Sequence, residues 1–415
     1  MLSDEFKRIS ARIDAYAQEA IEIEKRLTAI PALGPENGGD GEEKKAAYIA
    51  EYLANVLNCK DIWHINAPDK RVSCGYRPNI IARFPGTPET RMLWIMAHMD
   101  VVPPGDLEKW QSDPWEVKVK DGKVYGRGTE DNQQGLVSAL LATKAFIDEG
   151  ILPKVDIGLI FAADEETGSG YGLEYVLQHH ANTFSKNDLI IIPDAGNADG
   201  TLLEVAEKSI AWYKFTVKGK QTHGSTPEQG INAFRAASNL VVTLDNLYSL
   251  FPKNDPVFEP PISTFEPTKK EANVPNVNTV PGEDIFYLDC RVLPCYALDD
   301  VTKQVENFAS NIAAAFNVTI KVEKVQYLKA PDATPGDAPV VRAVQRALKE
   351  LRNIEPAPMG IGGGTVAAFF RSLDFPAVVW ATQDETLHGP NEYVRISNIL
   401  EDAKVFAHVA LQSHS

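Results

Sequence analysis

Cysteine is scarce in this chain: Cys59, Cys74, Cys290 and Cys295 are the four in 415 residues. Their scattered spacing excludes a disulfide-stapled module and a thiolate metal site, and it suits reduced thiols in a reducing compartment. No apolar run is long enough to cross a bilayer, and the opening MLSDEFKRIS is too charged for a secretory signal, so a cytoplasmic location is expected. Positive charge is outnumbered, 41 Lys and Arg against 57 Asp and Glu. The resulting net charge of −16 repels nucleic acid and anionic membrane, and neither is expected as a partner. Fixed-period repeats and low-complexity tracts are also missing, which excludes a solenoid.

What remains has the composition of a soluble globular protein, 44% apolar and 24% charged, with enough length for about two domains. Its most informative stretch runs from LWIMAHMDVV to YGRGTEDNQQG. Met92 to Ala97 is a short apolar run closed by Pro103, Pro104 and Gly105, and it reads as a buried strand with His98 and Asp100 at its end. Residues two apart on a strand share a face, so Asp100 is placed to orient the His98 ring as a metal ligand. A histidine and an aspartate that merely finish a strand are the plain alternative.

Ahead of that strand, Phe6, Ile9, Ile13, Tyr16, Ala20, Ile23 and Leu27 recur in steps of three and four, which predicts one helix from Ser3 to Ile30, ended by Pro31. A second helix is expected over 42–57, and strands near 61–65 and 79–84. Alternating helices and strands then argue for an α/β fold with a mixed, largely parallel sheet and flanking helices. A separate segment begins near Glu207. It holds an alternating strand through Trp212, Phe215 and Val217, a helix 232–250, a Pro-rich loop, a strand 284–292, a helix 298–316 and a strand 318–325. The expected organisation is therefore a catalytic domain in two parts, 1–206 and 327–415, interrupted by a small α+β insertion, 207–326.

Polar clusters repeatedly follow apolar strands. Val155 to Ala162 leads to Asp164, Glu165 and Glu166; Leu189 to Ile192 leads to Asp194; Pro376 to Ala381 leads to a loop with His388. Ligand sites of open α/β sheets lie beyond the carboxyl ends of the strands, so these residues are expected to converge there with Asp131, which otherwise reads as a helix cap. Two histidines and several carboxylates suit zinc, manganese or cobalt. They are too many for one tetrahedral ion with an open position, and they fit two ions sharing a carboxylate and a water. Glu165 and Glu166, if locally extended, point to opposite sides, so one can bind metal while the other exchanges a proton.

These motifs, with Trp110 and its DPW, DEETGS, PDAG, THGSTPEQGINA, the Asn278 to Pro281 segment with Arg291, GGGT and HGPNE, resemble the di-zinc amidohydrolases and metallopeptidases. That group includes aminoacylase, carboxypeptidase G, acetylornithine deacetylase, succinyl-diaminopimelate desuccinylase and PepV-type dipeptidases. The resemblance covers nearly the whole chain. It implies two divalent ions, Zn²⁺ or else Co²⁺ or Mn²⁺, with His98 and Asp194 on one, Glu166 and His388 on the other, and Asp131 bridging. It implies Asp100 as the orienting residue, Glu165 as general base, and His223 as oxyanion donor, often supplied across a homodimer formed by the inserted lid. Asn278, Arg291, Gly363, Gly364 and Thr365 would hold the substrate.

The expected reaction is cleavage of the amide of a dipeptide or an N-acyl amino acid with a free carboxylate. Val366 and Ala367 after GGGT, and Tyr171 after DEETGS, look more like the dipeptidase branch than the desuccinylases, which commonly carry an aspartate there. Asn132 to Gly135 also replace the Lys-Gly of many relatives. A non-catalytic scaffold that kept the fold is the rival of another class, although Glu165 and every ligand position are intact. The glycines from Gly360 to Gly364 are set aside as a nucleotide loop, since Thr365 replaces the third glycine of the dinucleotide fingerprint.

Overall fold

A computed structural model describes residues 2–87 and 91–413. It divides into two compact units. The first comprises the chain up to Val205, Thr334–Pro358 and the chain from Thr365 onward; the second comprises Ala206–Ala333 and Met359–Gly364.

The first unit is built on strands in the order Asp61–Pro68, Tyr76–Phe84, Asp156–Ala162, Met92–His98, Leu189–Asn197, Ala377–Thr382, Leu203–Glu207. Met92–His98 lies parallel to both of its neighbours, and Leu189–Asn197 lies parallel to Ala377–Thr382. The first strands and Leu203–Glu207 pair antiparallel. The sheet is therefore mixed, with a parallel centre. The central strands are buried on both faces, which is why they read as continuous apolar runs rather than alternating ones. Helix Gln134–Glu149 packs against them and is almost wholly buried, so its apolar surface extends around the helix.

Two expected helices are interrupted. The first is split into Asp4–Asp14 and Ala17–Thr28 around Tyr16, whose hydroxyl donates to Asp148 at 2.7 Å. Both pieces keep the same apolar stripe, so the break leaves no mark on the periodicity. The helix expected over 232–250 is likewise Ala233–Leu244 followed by Asn246–Leu250.

The second unit holds a four-stranded antiparallel sheet ordered Thr264–Lys270, Glu283–Val292, Ser209–Lys218, Thr319–Leu328, with Ala233–Leu244 and Leu298–Phe316 sharing its apolar core. Thr264–Lys270 was expected to be loop. Only Phe265 is buried in TFEPTKK, and a bulge between Pro267 and Lys269 removes any alternation. A proline is tolerated there because this is an edge strand. Among the described residues the four cysteines are unpaired, and no helix is long and apolar enough to cross a membrane.

Candidate metal centre

The first unit gathers His98, Asp131 and Asp194 into one group and Asp131, Glu166 and His388 into another, with the ligand-type atoms of each within 4.8 Å of one another. Each arrives from a different strand end or loop. His98 closes Met92–His98, and its Nε2 is 2.9 Å from Asp131 Oδ1 and 3.4 Å from Asp194 Oδ1. His388 Nε2 is 3.0 Å from Asp131 Oδ2 and 3.2 Å from Glu166 Oε2. Asp131 thus offers one oxygen to each group.

Asp131 precedes helix Gln134–Glu149, in a turn entered through Gly128 at φ +86°, a conformation that favours glycine. That helix approaches the sheet closely at Gly135, where a Cβ would stand 2.6 Å from Pro193 Cγ and 2.8 Å from Pro193 O. Asp194 was expected just after its strand; the strand instead continues to Asn197. Ile192 and Gly196 pair with Val379 and Ala381, so three residues stand opposite one and Asp194 lies in the resulting bulge. Bulges re-aim side chains, and this one leaves Asp194 beside His98.

Asp100 differs from expectation in an instructive way. The strand ends at His98, so side-chain alternation no longer applies, and the His98 Nδ1–H donates to the Asp100 carbonyl at 2.9 Å. That bond leaves Nε2, on the side of Asp131 and Asp194, as the ring nitrogen that can offer its lone pair to a cation once its proton is displaced. The Asp100 carboxylate is 3.5 Å from Nδ1, and it accepts the backbone N–H groups of Glu165 and Glu166 at 3.0 Å each. Those two glutamates begin a 3₁₀ turn, Glu165–Thr167, rather than an extended segment.

The charges are strongly interdependent. Burial works against the charged form of His98, yet Asp194, Asp100 and Asp131 hold its pKa well above the usual value. Hydrogen bonds to Asp131 and Glu166 push His388 up to about 10. Burial also opposes ionisation of Asp131, but hydrogen bonds from His388 and His98 keep it well below the usual carboxylate range. Burial, reinforced by Asp194, drives Glu165 well above that range, and burial raises Glu166 as well.

The donor set of imidazole nitrogens and carboxylate oxygens fits divalent zinc, cobalt or manganese. Among the described residues Glu166 Oε1 is buried without a hydrogen-bond partner, an orphan that a cation would satisfy. A cation must displace the proton that His388 holds up to about pH 10, so apparent affinity should climb with pH toward that value, by about a decade per pH unit for each proton released. Competition titrations of chelator-stripped protein across that range measure the slope; a flat profile contradicts this arrangement.

The other expected site residues occupy different surroundings. Thr365, in the first unit, accepts from the Ala367 N–H at 3.2 Å through its hydroxyl, two residues ahead of the short helix Ala367–Arg371. His223, Asn278, Arg291, Gly363 and Gly364 belong to the second unit. There the Ser225 N–H donates to His223 Nδ1 at 3.1 Å, which leaves Nε2–H on an exposed ring. Asn278 is exposed, and its carbonyl accepts from Gly224 at 2.6 Å. Arg291 binds Asp289 through two nitrogens at 2.7 and 3.0 Å and the Gly362 carbonyl at 3.0 Å. A Cβ at Gly363 or Gly364 would meet nothing nearer than 3.8 Å, so crowding does not require either glycine.

Sequence reasoning overlooked the braces around the metal-type ligands. Asn132 donates to Asp194 at 2.5 Å and to the Pro193 carbonyl at 2.7 Å. Arg127, Glu130 and Glu392 were visible only as letters within YGRGTEDNQQG and HGPNE.

The model of peptidase family M20/M25/M40 matches residues 94–412. The chain belongs to this family. A relative from Methanococcus maripaludis, described as an uncharacterized metallohydrolase, is 41% identical over 410 residues, covering 94% of this chain and 97% of the relative. Succinyl-diaminopimelate desuccinylase of Nitratiruptor sp. is 26% identical over 382 residues, covering 90% and 94% respectively. The structure of human carnosine dipeptidase 1 shares the fold, with a TM-score of 0.74 at 19% identity over 99% of this chain and 98% of that one. This M20 chain is accordingly a metallohydrolase with a mixed-sheet catalytic unit.

Proposed function

We propose that this M20 metallohydrolase cleaves the amide bond of a dipeptide or an N-acyl amino acid bearing a free carboxylate, and acts in the cytoplasm. The observation that carries the reading is the division of Asp131, with Oδ1 toward His98 and Oδ2 toward His388. His98, Asp131 and Asp194 would hold one divalent ion, and Asp131, Glu166 and His388 a second. Zinc is preferred, with cobalt and manganese as alternatives. When bound, such a pair would lower the pKa of a shared water from about 15.7 toward 7 and polarise the scissile carbonyl.

The chain's own groups do the rest. Glu165, already raised toward proton exchange, takes the proton from water and returns it to the leaving nitrogen. Asp100 fixes the turn on which Glu165 stands. His223 offers Nε2–H to the oxyanion, while Arg291, Asn278, Gly363, Gly364 and Thr365 hold the carboxylate and backbone of the substrate. Dipeptides are preferred over acylated amino acids because Val366 and Ala367 follow the glycine turn. The desuccinylase relatives favour the second class. Turnover of dipeptides, N-acetyl and N-succinyl amino acids by metal-loaded protein decides between them, and failure across the panel with two metals bound would reject both.

The second unit also supports a homodimer. Its edge strand Thr264–Lys270 and helix Ala233–Leu244 flank an open groove of about 480 Å³ that includes Phe234, Val241, Val242 and Phe286. Phe234 is 46% and Val242 68% exposed, an apolar surface continuous with a strand edge that is unpaired among the described residues. The expected sedimentation profile is dimeric for the native chain and monomeric for Val242→Asp. A monomeric native chain at working concentration contradicts the assembly.

A further inference from the structure

Two buried acids stand beside the metal-type groups without belonging to either. Glu130 is 1% exposed and Glu392 is fully buried. Burying a carboxylate is costly unless its oxygens are bonded, and here the bonds run reciprocally between two segments about 260 residues apart. Glu392 accepts the backbone N–H groups of Gly128, Glu130 and Asp131 at 3.1, 2.9 and 3.1 Å, and it pairs with Arg127. Glu130 accepts the Asp384 N–H at 2.6 Å, the Thr386 N–H, and the Thr386 hydroxyl at 2.7 Å. Arg127 completes the exchange by donating to the carbonyls of His388 and Gly389 at 3.2 and 3.1 Å.

We propose that Glu130 and Glu392 are positioning residues that clamp the Asp131 turn to the His388 loop and so set the affinity of the Asp131, Glu166 and His388 site. The inference rests on the reading of those residues as metal ligands. His388 needs such a clamp: it lies on a loop at φ +60°, and its side chain is half exposed. A ligand not held in place must be ordered at the moment of binding, which weakens affinity without changing the ligand itself.

The clamp is asymmetric, and that makes it testable. Glu130 holds only the loop of His388. Glu392 holds the backbone of Asp131, the ligand shared by both groups. Loss of Glu130 should therefore weaken one ion, and loss of Glu392 should weaken both. Supporting contacts of this kind typically change affinity by about 10- to 100-fold.

The test is calorimetric titration of chelator-stripped full-length protein with Zn²⁺ or Co²⁺. The variants are Glu130→Gln, Glu392→Gln and Thr386→Val, with His388→Ala as the ligand control and thermal melts of each metal-free form. The expected result is two ions for the native chain. Glu130→Gln should leave one affinity unchanged and lower the other by about 10- to 100-fold. Thr386→Val should act in the same direction more weakly, and Glu392→Gln should lower both. Should Glu130→Gln fail to fold, Thr386→Val carries the comparison. Native-like affinities at both sites in Glu130→Gln, or equal losses at both together with a lowered melting temperature, overturn the clamp. If His388→Ala keeps both ions, the ligand reading itself fails; if it loses one while Glu130→Gln loses none, only the clamp fails.

Discussion

Glu165→Gln should lower kcat by about 10²- to 10⁴-fold, the usual contribution of a positioned general base, with little change in KM. Glutamine keeps the shape of the side chain but cannot accept the water's proton. The metal content should stay native, because Glu165 belongs to neither ligand group. Its turn should also survive, since the Asp100 carboxylate holds that turn through backbone N–H groups that the substitution leaves in place. Steady-state kinetics paired with elemental analysis measure both quantities. Native turnover in Glu165→Gln would remove this residue from the chemistry. Loss of activity together with loss of metal would make it a ligand instead.

Asp131→Asn should have the broader effect. Asp131 presents Oδ1 to the His98 side and Oδ2 to the His388 side, whereas asparagine has one oxygen. At least one ion should be lost after dialysis, and kcat/KM should fall by about 10³-fold or more, because the water activation and carbonyl polarisation attributed to a metal pair are worth several kcal/mol. The two substitutions differ in metal stoichiometry: Glu165→Gln retains the ions, Asp131→Asn does not. Retention of two tightly bound ions in Asp131→Asn would show that each group is complete without the shared carboxylate.

Much of the architecture was legible because burial writes itself into composition. The central strands are apolar on both faces, so Met92–His98, Asp156–Ala162 and Ala377–Thr382 appear as short unbroken runs ahead of polar clusters. The helix Leu298–Phe316 was legible to the residue because its start and stop coincide with a clear stripe, closed by Asn317 in the left-handed conformation. Elements with weak burial escaped. Thr264–Lys270 buries one aromatic side chain and owes its strand character to the neighbour it pairs with, so its own letters do not declare it. The break at Tyr16 escaped for the opposite reason, since the stripe continues through it.

The sequence by itself determined the α/β character, the ligand-type residues at strand ends and the M20 motifs, because strand periodicity and residue chemistry are local properties. Only the tertiary structure decided that Asp194 lies in a bulge rather than beyond its strand, and that Asp100 turns a carbonyl to His98 and a carboxylate to the glutamate turn. It also decided that Glu130 and Glu392 cross-brace segments far apart in the chain. Those outcomes depend on which backbone N–H groups are left for a buried carboxylate to satisfy, and that becomes defined only when distant segments pack together.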